Sequence, residues 1–216
     1  MEIELKYAVA DGRTADSIWN DRKLKTMAKR AGEEPRKEMF EGTYFDTEDH
    51  VLLKNDIAYR IRREGDRAVA TLKWNGKSEG PLHIREEFNA TLGNWRDDIK
   101  PDPGIFRESE IGEELFDMIG DSKLEPLMQV NFRRRMLRAD TGDSLVEVSI
   151  DEGEIVTPNG SAPISEIEME LYSGEKDDME KLGSDLQKKY DLKPENDSKF
   201  ARGLMLMDLI KQELPV

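Results

Sequence analysis

The chain has no cysteine and only two histidines among its 216 residues. The first absence excludes disulfides and thiolate metal sites, and the second leaves almost nothing from which to build an imidazole centre. There is no apolar run of membrane-spanning length, and the first residues show no basic segment followed by an apolar one. Membrane insertion and export are therefore not expected, and a cytoplasmic location is. Positive charge is in deficit: 33 Lys and Arg stand against 47 Asp and Glu, a formal net charge of -14. A general nucleic-acid binder carries a basic balance, so that role is disfavoured. Net charge describes the whole surface, however, and an acidic protein can enclose a basic pocket. A Walker-type phosphate loop, internal repeats and low-complexity tracts are also missing.

What is present is a series of strand-like runs: 2–8, about 40–47, 57–64, 67–75, 82–92, 128–139, 144–156 and 165–172. Turn signals such as Gly65-Asp66 and Thr141-Gly142-Asp143 join neighbours directly, which implies antiparallel pairing. Helical spacing predicts helices over 14–31, 108–120, 175–190 and about 198–213, with Thr14, Ser173 and Ser198 as cap residues. The stretch 93–107 holds Pro101, Pro103 and Gly104 and reads as a loop between two halves of one sheet. With no strong boundary, 1–216 is expected to be a single α+β domain.

Side chains alternate between the two faces of a strand. In the first run Glu2, Glu4 and Lys6 share a face opposite Ile3, Leu5 and Tyr7. The same design recurs in Arg60, Arg62 and Glu64, in Thr71 and Lys73, and in His83, Arg85 and Glu87. It returns in Glu147, Ser149 and Asp151, and in Glu166, Glu168 and Glu170. Around 130–136 the apolar parity of Val130, Phe132 and Met136 puts Arg133 and Arg135 on the charged side, with Arg134 substituted if a bulge intervenes. Two arrangements satisfy this pattern. One is an open sheet with helices on its apolar face and water on the other. The second closes the sheet, turning the charged face inward and removing exposed edges.

An enclosed charged face must be nearly neutral. Lys199 and Arg202 of the last helix complete a set of nine bases with Lys6, Arg60, Arg62, Lys73, Arg85, Arg133 and Arg135, against nine acids on the same faces. Clustered guanidinium groups suit phosphate oxygens. Clustered carboxylates suit Mg²⁺ or Mn²⁺. Together they indicate a polyphosphate gripped by bases and handled with a divalent metal.

These residues resemble the CYTH family, the triphosphate tunnel metalloenzymes. The similarity runs in order through Glu2-x-Glu4-x-Lys6, Tyr44-Phe45-Asp46-Thr47, Tyr59-Arg60-Ile61-Arg62, Thr71-Leu72-Lys73 and Arg85-Glu86-Glu87-Phe88. It continues through Glu147-x-x-x-Asp151 and Glu166-x-Glu168-x-Glu170 to Ser198-Lys199-Phe200-Ala201-Arg202-Gly203. The resemblance implies a closed eight-stranded antiparallel β-barrel, a tunnel flanked by helices. It implies metal held by Glu2, Glu4, Glu168 and Glu170, with Glu64, Glu87, Glu147 and Asp151 as further acidic candidates. Triphosphate contacts would come from Lys6, Arg60, Arg62, Lys73, Arg85, an arginine of 133–135, Lys199 and Arg202. Lys6, Glu168 and Glu170 would lie nearest the chemistry. The expected activity is metal-dependent hydrolysis of inorganic tripolyphosphate to phosphate and pyrophosphate, by a monomer or homodimer. A class IV type adenylate cyclase, a thiamine or nucleoside triphosphatase, and a non-catalytic polyphosphate-binding module are the alternatives. His50 reads as solvated, His83 as lining the tunnel mouth rather than as catalytic, and Trp19, Trp74 and Trp95 as packing residues.

Overall fold

A computed structural model describes residues 1–211. Nine strands form one sheet: β1 (Glu2–Ala8), β2 (Arg36–Asp46), β3 (Ala58–Glu64), β4 (Arg67–Glu79), β5 (Leu82–Asn94), β6 (Glu125–Asp140), β7 (Leu145–Thr157), β8 (Gly160–Ser173) and the two-residue β9 (Lys193–Pro194). Every pairing is antiparallel, and β1 joins β8 on one side and β5 on the other, closing an eight-stranded ring. Beyond Leu5, β5 leaves β1, and β9 takes its place against Tyr7 and Ala8. The charged face is therefore enclosed, and the open-sheet arrangement is excluded.

Helices cover the barrel: α1 (Gly12–Trp19), α2 (Arg22–Ala31), α3 (Val51–Lys54), α4 (Gly112–Ile119), α5 (Lys176–Tyr190) and α6 (Lys199–Leu206). The single helix expected over 14–31 is two, because Asn20 ends the first and Asp21 caps the second. The first cap is Asp11, whose carboxylate accepts from Thr14 N–H; Thr14 does not cap. The expected helix over 108–120 shortens to α4, and Ser173 gives way to Glu175 as N-cap of α5. Ser198 does cap α6, through its hydroxyl and Ala201 N–H. That helix stops at Leu206, and the last two residues of the span expected to be helical, 212 and 213, lie outside the described residues.

Three apolar clusters follow from this layout. One lies under α1, α2 and α5, where Leu5, Tyr7, Val148, Ile150, Ile167 and Met169 of the outer face are covered. Another lies under α3 and α4 against Tyr59, Ile61, Ala70 and Leu72. The third is inside the barrel. Towards one end the inner face turns apolar at Met128, Val130, Ile155 and Ile164, and α6 seats Leu204 and Phe200 against it. A Cβ on Gly203 would fall 2.2 Å from Met128 Sδ and 3.2 Å from Ile155 Cγ2, so glycine permits this close approach.

Asp21 ties the outer helices together. Its buried carboxylate accepts from Lys23 N–H at 2.7 Å and Leu24 N–H at 3.1 Å, and from Tyr190 Oη at 2.7 Å. Lys189 Nζ bridges to it at 2.5 Å. Burial works against ionisation, but Lys189, Tyr190 and the two amides prevail and hold its pKa down to about 2. Asp21→Ala should cost about 2 kcal/mol in denaturant unfolding, the upper range for a cap. Because the folded pKa lies below the unfolded one, this contribution is complete above about pH 5 and fades as pH falls towards 2. The wild-type minus variant difference, measured across that range, should shrink accordingly.

Candidate active site

The central chamber has a volume of about 120 Å³ and is walled by residues from most of the barrel strands. β1 supplies Glu2, Glu4 and Lys6; β3 supplies Arg60 and Arg62; β4 and β5 supply Lys73, Arg85 and Glu87. β8 adds Glu168 and Glu170, and α6 inserts Lys199 and Phe200 from the apolar end. A wider mouth of about 370 Å³ adjoins it, lined by Arg36, Glu64, Arg67 and Glu147, and sharing Arg62, Glu87, Arg134 and Glu170. Glu64 is thus a mouth residue held by Arg62 at 2.9 Å, and Glu147 lies 3.8 Å from Arg138.

The expectation for β6 is corrected. Arg134, not Arg133 or Arg135, faces the lumen, donating to both oxygens of Asp151 at 2.7 Å and reaching Glu168. Arg133 points outward, its side chain 56% exposed beside Glu152. Arg135 is buried under α1, bonded to Asp16 at 2.7 Å and Glu152 at 2.9 Å. No bulge is involved, since β6 pairs with β7 without interruption from Gln129 to Asp140. The parity failed because Phe132 and Met136 line the lumen and its mouth: on β6 the inner face is itself partly apolar.

Inside, cations and carboxylates interlock. Lys6 Nζ lies 2.6 Å from Glu168 and 3.0 Å from Glu4. Lys73 meets Glu2 at 2.8 Å and also Glu87, while Arg85 meets Glu4 at 3.1 Å and Glu2 at 3.4 Å. Burial alone would lower the Lys6 pKa, but Glu168 and Glu4 outweigh it and raise it. Burial and the adjacent Arg60 outweigh Glu64 at Arg62, which is pushed down to about 10. Burial opposes ionisation of Glu87, yet Lys73 holds it at about 2. Tyr44, unassigned from sequence beyond its place in a motif, enters the chamber and stacks on Phe200 at 4.7 Å. Burial would raise its phenol pKa, but Arg60, Lys73, Lys199 and Arg85 together lower it. Asp46 of the same motif is structural, accepting from the N–H groups of Thr47, Leu52 and Leu53.

Two acidic groups differ in what they can bind. The carboxylate oxygens of Asp151, Glu166 and Glu168 converge within 4.8 Å of one another. Lys199 Nζ fills that convergence, 2.7 Å from Asp151, 2.9 Å from Glu168 and in contact with Glu166. Arg202 also holds Glu166. This trio already has its cation. Glu170 is the opposite case: it has no basic partner among the described residues, is exposed within the lumen, and is the neighbour of Glu4 across the β1–β8 pair. Burial, then repulsion from Glu2, Glu4 and Glu87, pushes its pKa up to about 7. A divalent cation brought to Glu2, Glu4 and Glu170 would relieve that repulsion, and an all-oxygen donor set suits a hard ion.

His83 is buried, 2% exposed, rather than open at the tunnel mouth. Its Nε2–H donates to the Glu195 carbonyl at 2.9 Å, which leaves Nδ1 to accept from Ser78 Oγ at 2.8 Å. Burial and then Lys6 lower its pKa, so the imidazole is neutral. Trp74 packs in the second apolar cluster, as expected.

The sequence matches the CYTH domain model over residues 1–204. The chain belongs to the CYTH family. Among curated proteins it is 33% identical over 169 residues to an inorganic triphosphatase of Haemophilus influenzae, a match covering 76% of this chain and 45% of that protein. The chain thus spans about half the length of the curated relative it matches. Among solved structures, a Hippeastrum protein described as a candidate adenylyl cyclase with a dominant triphosphatase activity superposes with a TM-score of 0.64. It is 18% identical, and the match covers 95% of this chain and 96% of that one. A Pyrococcus horikoshii protein gives 0.55 at 23% identity, covering 96% and 99% of the two chains. Both share the fold of this CYTH chain.

Proposed function

We propose that this CYTH barrel hydrolyses inorganic tripolyphosphate to phosphate and pyrophosphate with the help of Mg²⁺ or Mn²⁺. The observation that carries the reading is a narrow chamber with seven basic side chains (Lys6, Arg60, Arg62, Lys73, Arg85, Arg134 and Lys199) beside an acid, Glu170, that lacks a cation. The curated relative named an inorganic triphosphatase supports the substrate. Residues 1–216 are read as one such domain, with no nucleic-acid or membrane partner; no described helix is long and apolar enough to cross a membrane.

Phosphoryl transfer asks chiefly for positioning and neutralised charge. Lys73, Arg85, Arg60 and Arg62 would grip the phosphate oxygens along one wall, and Lys6, Arg134 and Lys199 along the other. Glu2, Glu4 and Glu170 would hold the metal, which when bound supplies charge neutralisation and activation of water. Water oxygen attacks the terminal phosphorus, and the bond to the bridging oxygen breaks, releasing pyrophosphate. Glu170 rather than Glu168 orients that water, because Glu168 is saturated by Lys6, Arg134 and Lys199.

The test is a comparison of kcat/KM for tripolyphosphate, ATP and thiamine triphosphate under Mg²⁺ and Mn²⁺. Tripolyphosphate should lead by at least tenfold. Cyclic AMP from ATP, or a preference for an organic triphosphate, would overturn the substrate assignment.

A further inference from the structure

Six of the seven basic side chains in the chamber are already engaged by carboxylates: Lys6, Arg62, Lys73, Arg85, Arg134 and Lys199. Arg60 is not. Among the described residues it meets no carboxylate within ion-pair distance, its Nε is buried without a partner, and Nη2 donates only to Thr71 Oγ1 at 3.3 Å. Thr71 is directly opposite Arg60 on β4, and Asn89 directly opposite Thr71 on β5. Thr71 is 1% exposed, the one uncharged polar side chain on a stretch of β4 whose next inward residue is Lys73. Its hydroxyl donates to Asn89 Oδ1 at 2.7 Å, so only its lone pairs face Arg60. The Asn89 amide N–H₂ turns the other way and donates to Glu87.

The relay Glu87–Asn89–Thr71–Arg60 thus has a carboxylate tethered at one end and a guanidinium at the other. It keeps the nearest lumen acid on Asn89 and Lys73 and off Arg60. The Arg60 stem has its own channel: Gly42 faces it, and a Cβ there would already touch Cδ at 3.4 Å. For every other chamber cation, an incoming phosphate must displace or share a carboxylate. At Arg60 no carboxylate has to be displaced, only the Tyr44 phenol lies beside it, and a preorganised donor that needs little rearrangement contributes most.

We propose that Thr71 and Asn89 are positioning residues that hold Arg60 as the anion anchor of the chamber, able to take a phosphate group before any metal is present. This rests on the tripolyphosphate reading above. Thr71→Val removes the hydroxyl while keeping the shape, and leaves Arg60 free to swing towards Glu87. Asn89→Ala, at an exposed position, frees Glu87 instead and does not threaten the core.

The experiment is calorimetric titration of the full chain with tripolyphosphate in EDTA at low salt, repeated with Mn²⁺ alongside steady-state kinetics. Thr71→Val and Asn89→Ala should each weaken metal-free binding about tenfold, and Thr71→Ser should restore it. With metal, KM should rise in both variants while kcat changes less than twofold, the signature of lost binding that is equal in ground and transition states. Metal-free affinity in both variants equal to wild type would overturn the anchor. Wild-type protein that binds tripolyphosphate neither with nor without Mn²⁺ would instead sink the substrate reading, and the anchor with it.

Discussion

Glu4→Gln should lower metal-dependent tripolyphosphate turnover by about a thousandfold, the upper range for deleting one preorganised charged contact in a dry site. Glu4 is 3% exposed and sits between Lys6 at 3.0 Å and Arg85 at 3.1 Å. The amide keeps its size and can still accept from both. What it loses is the charge that, with Glu2 and Glu170, makes the acidic wall attractive to a divalent ion. The fold should survive, because Lys6 retains Glu168 and Arg85 retains Glu2. The decisive readout is Mn²⁺ titration of the variant alongside its melting temperature. Weakened Mn²⁺ binding with an intact melt is expected; undiminished Mn²⁺ affinity would move the metal away from Glu4.

The second large effect separates neighbours on one strand. Arg134→Met should cost about 3 kcal/mol, the penalty for breaking a buried ion pair, and should weaken tripolyphosphate binding as well. Asp151, fully buried, would be left to Lys199 alone, and Glu168 would lose one of three cations. Arg133→Met should change stability by less than about 0.5 kcal/mol and leave affinity unchanged, as at most exposed positions. Arg135→Met should destabilise by loosening α1 from the barrel, again with affinity unchanged. Denaturant unfolding and substrate titration of the three variants together give the comparison. Loss of affinity in Arg133→Met or Arg135→Met, but not in Arg134→Met, would reverse the assignment of faces.

That strand shows what the sequence could and could not reveal. Where the inner face is charged throughout, as in Glu2, Glu4 and Lys6 or Glu166, Glu168 and Glu170, alternation alone orients the strand correctly. On β6 the rule that apolar means outward fails, because one end of the barrel is packed with Val130 and Phe132 against α6. The plug that makes this end apolar comes from residues some seventy positions later, and no local pattern announces it. Closure itself depends on β1 pairing with both β5 and β8, a long-range fact that alternation leaves open and the family resemblance supplied. The break between α1 and α2 was legible in principle, since Asp21 opens a helix, but the apolar spacing runs on through it. The four-residue α3 is too short to show a period. Pairing within the lumen was invisible altogether. Lys199 as the cation at the centre of three carboxylates, and Glu170 as the acid without one, emerge only from distances.

The most direct measurement is a ³¹P NMR time course of tripolyphosphate with the full chain, run in Mg²⁺ and in EDTA. Phosphate and pyrophosphate should appear in equal amounts with metal, and neither should form in EDTA. An unchanged tripolyphosphate spectrum in the presence of metal, from protein that binds the compound, would contradict hydrolysis and leave a binding module in its place.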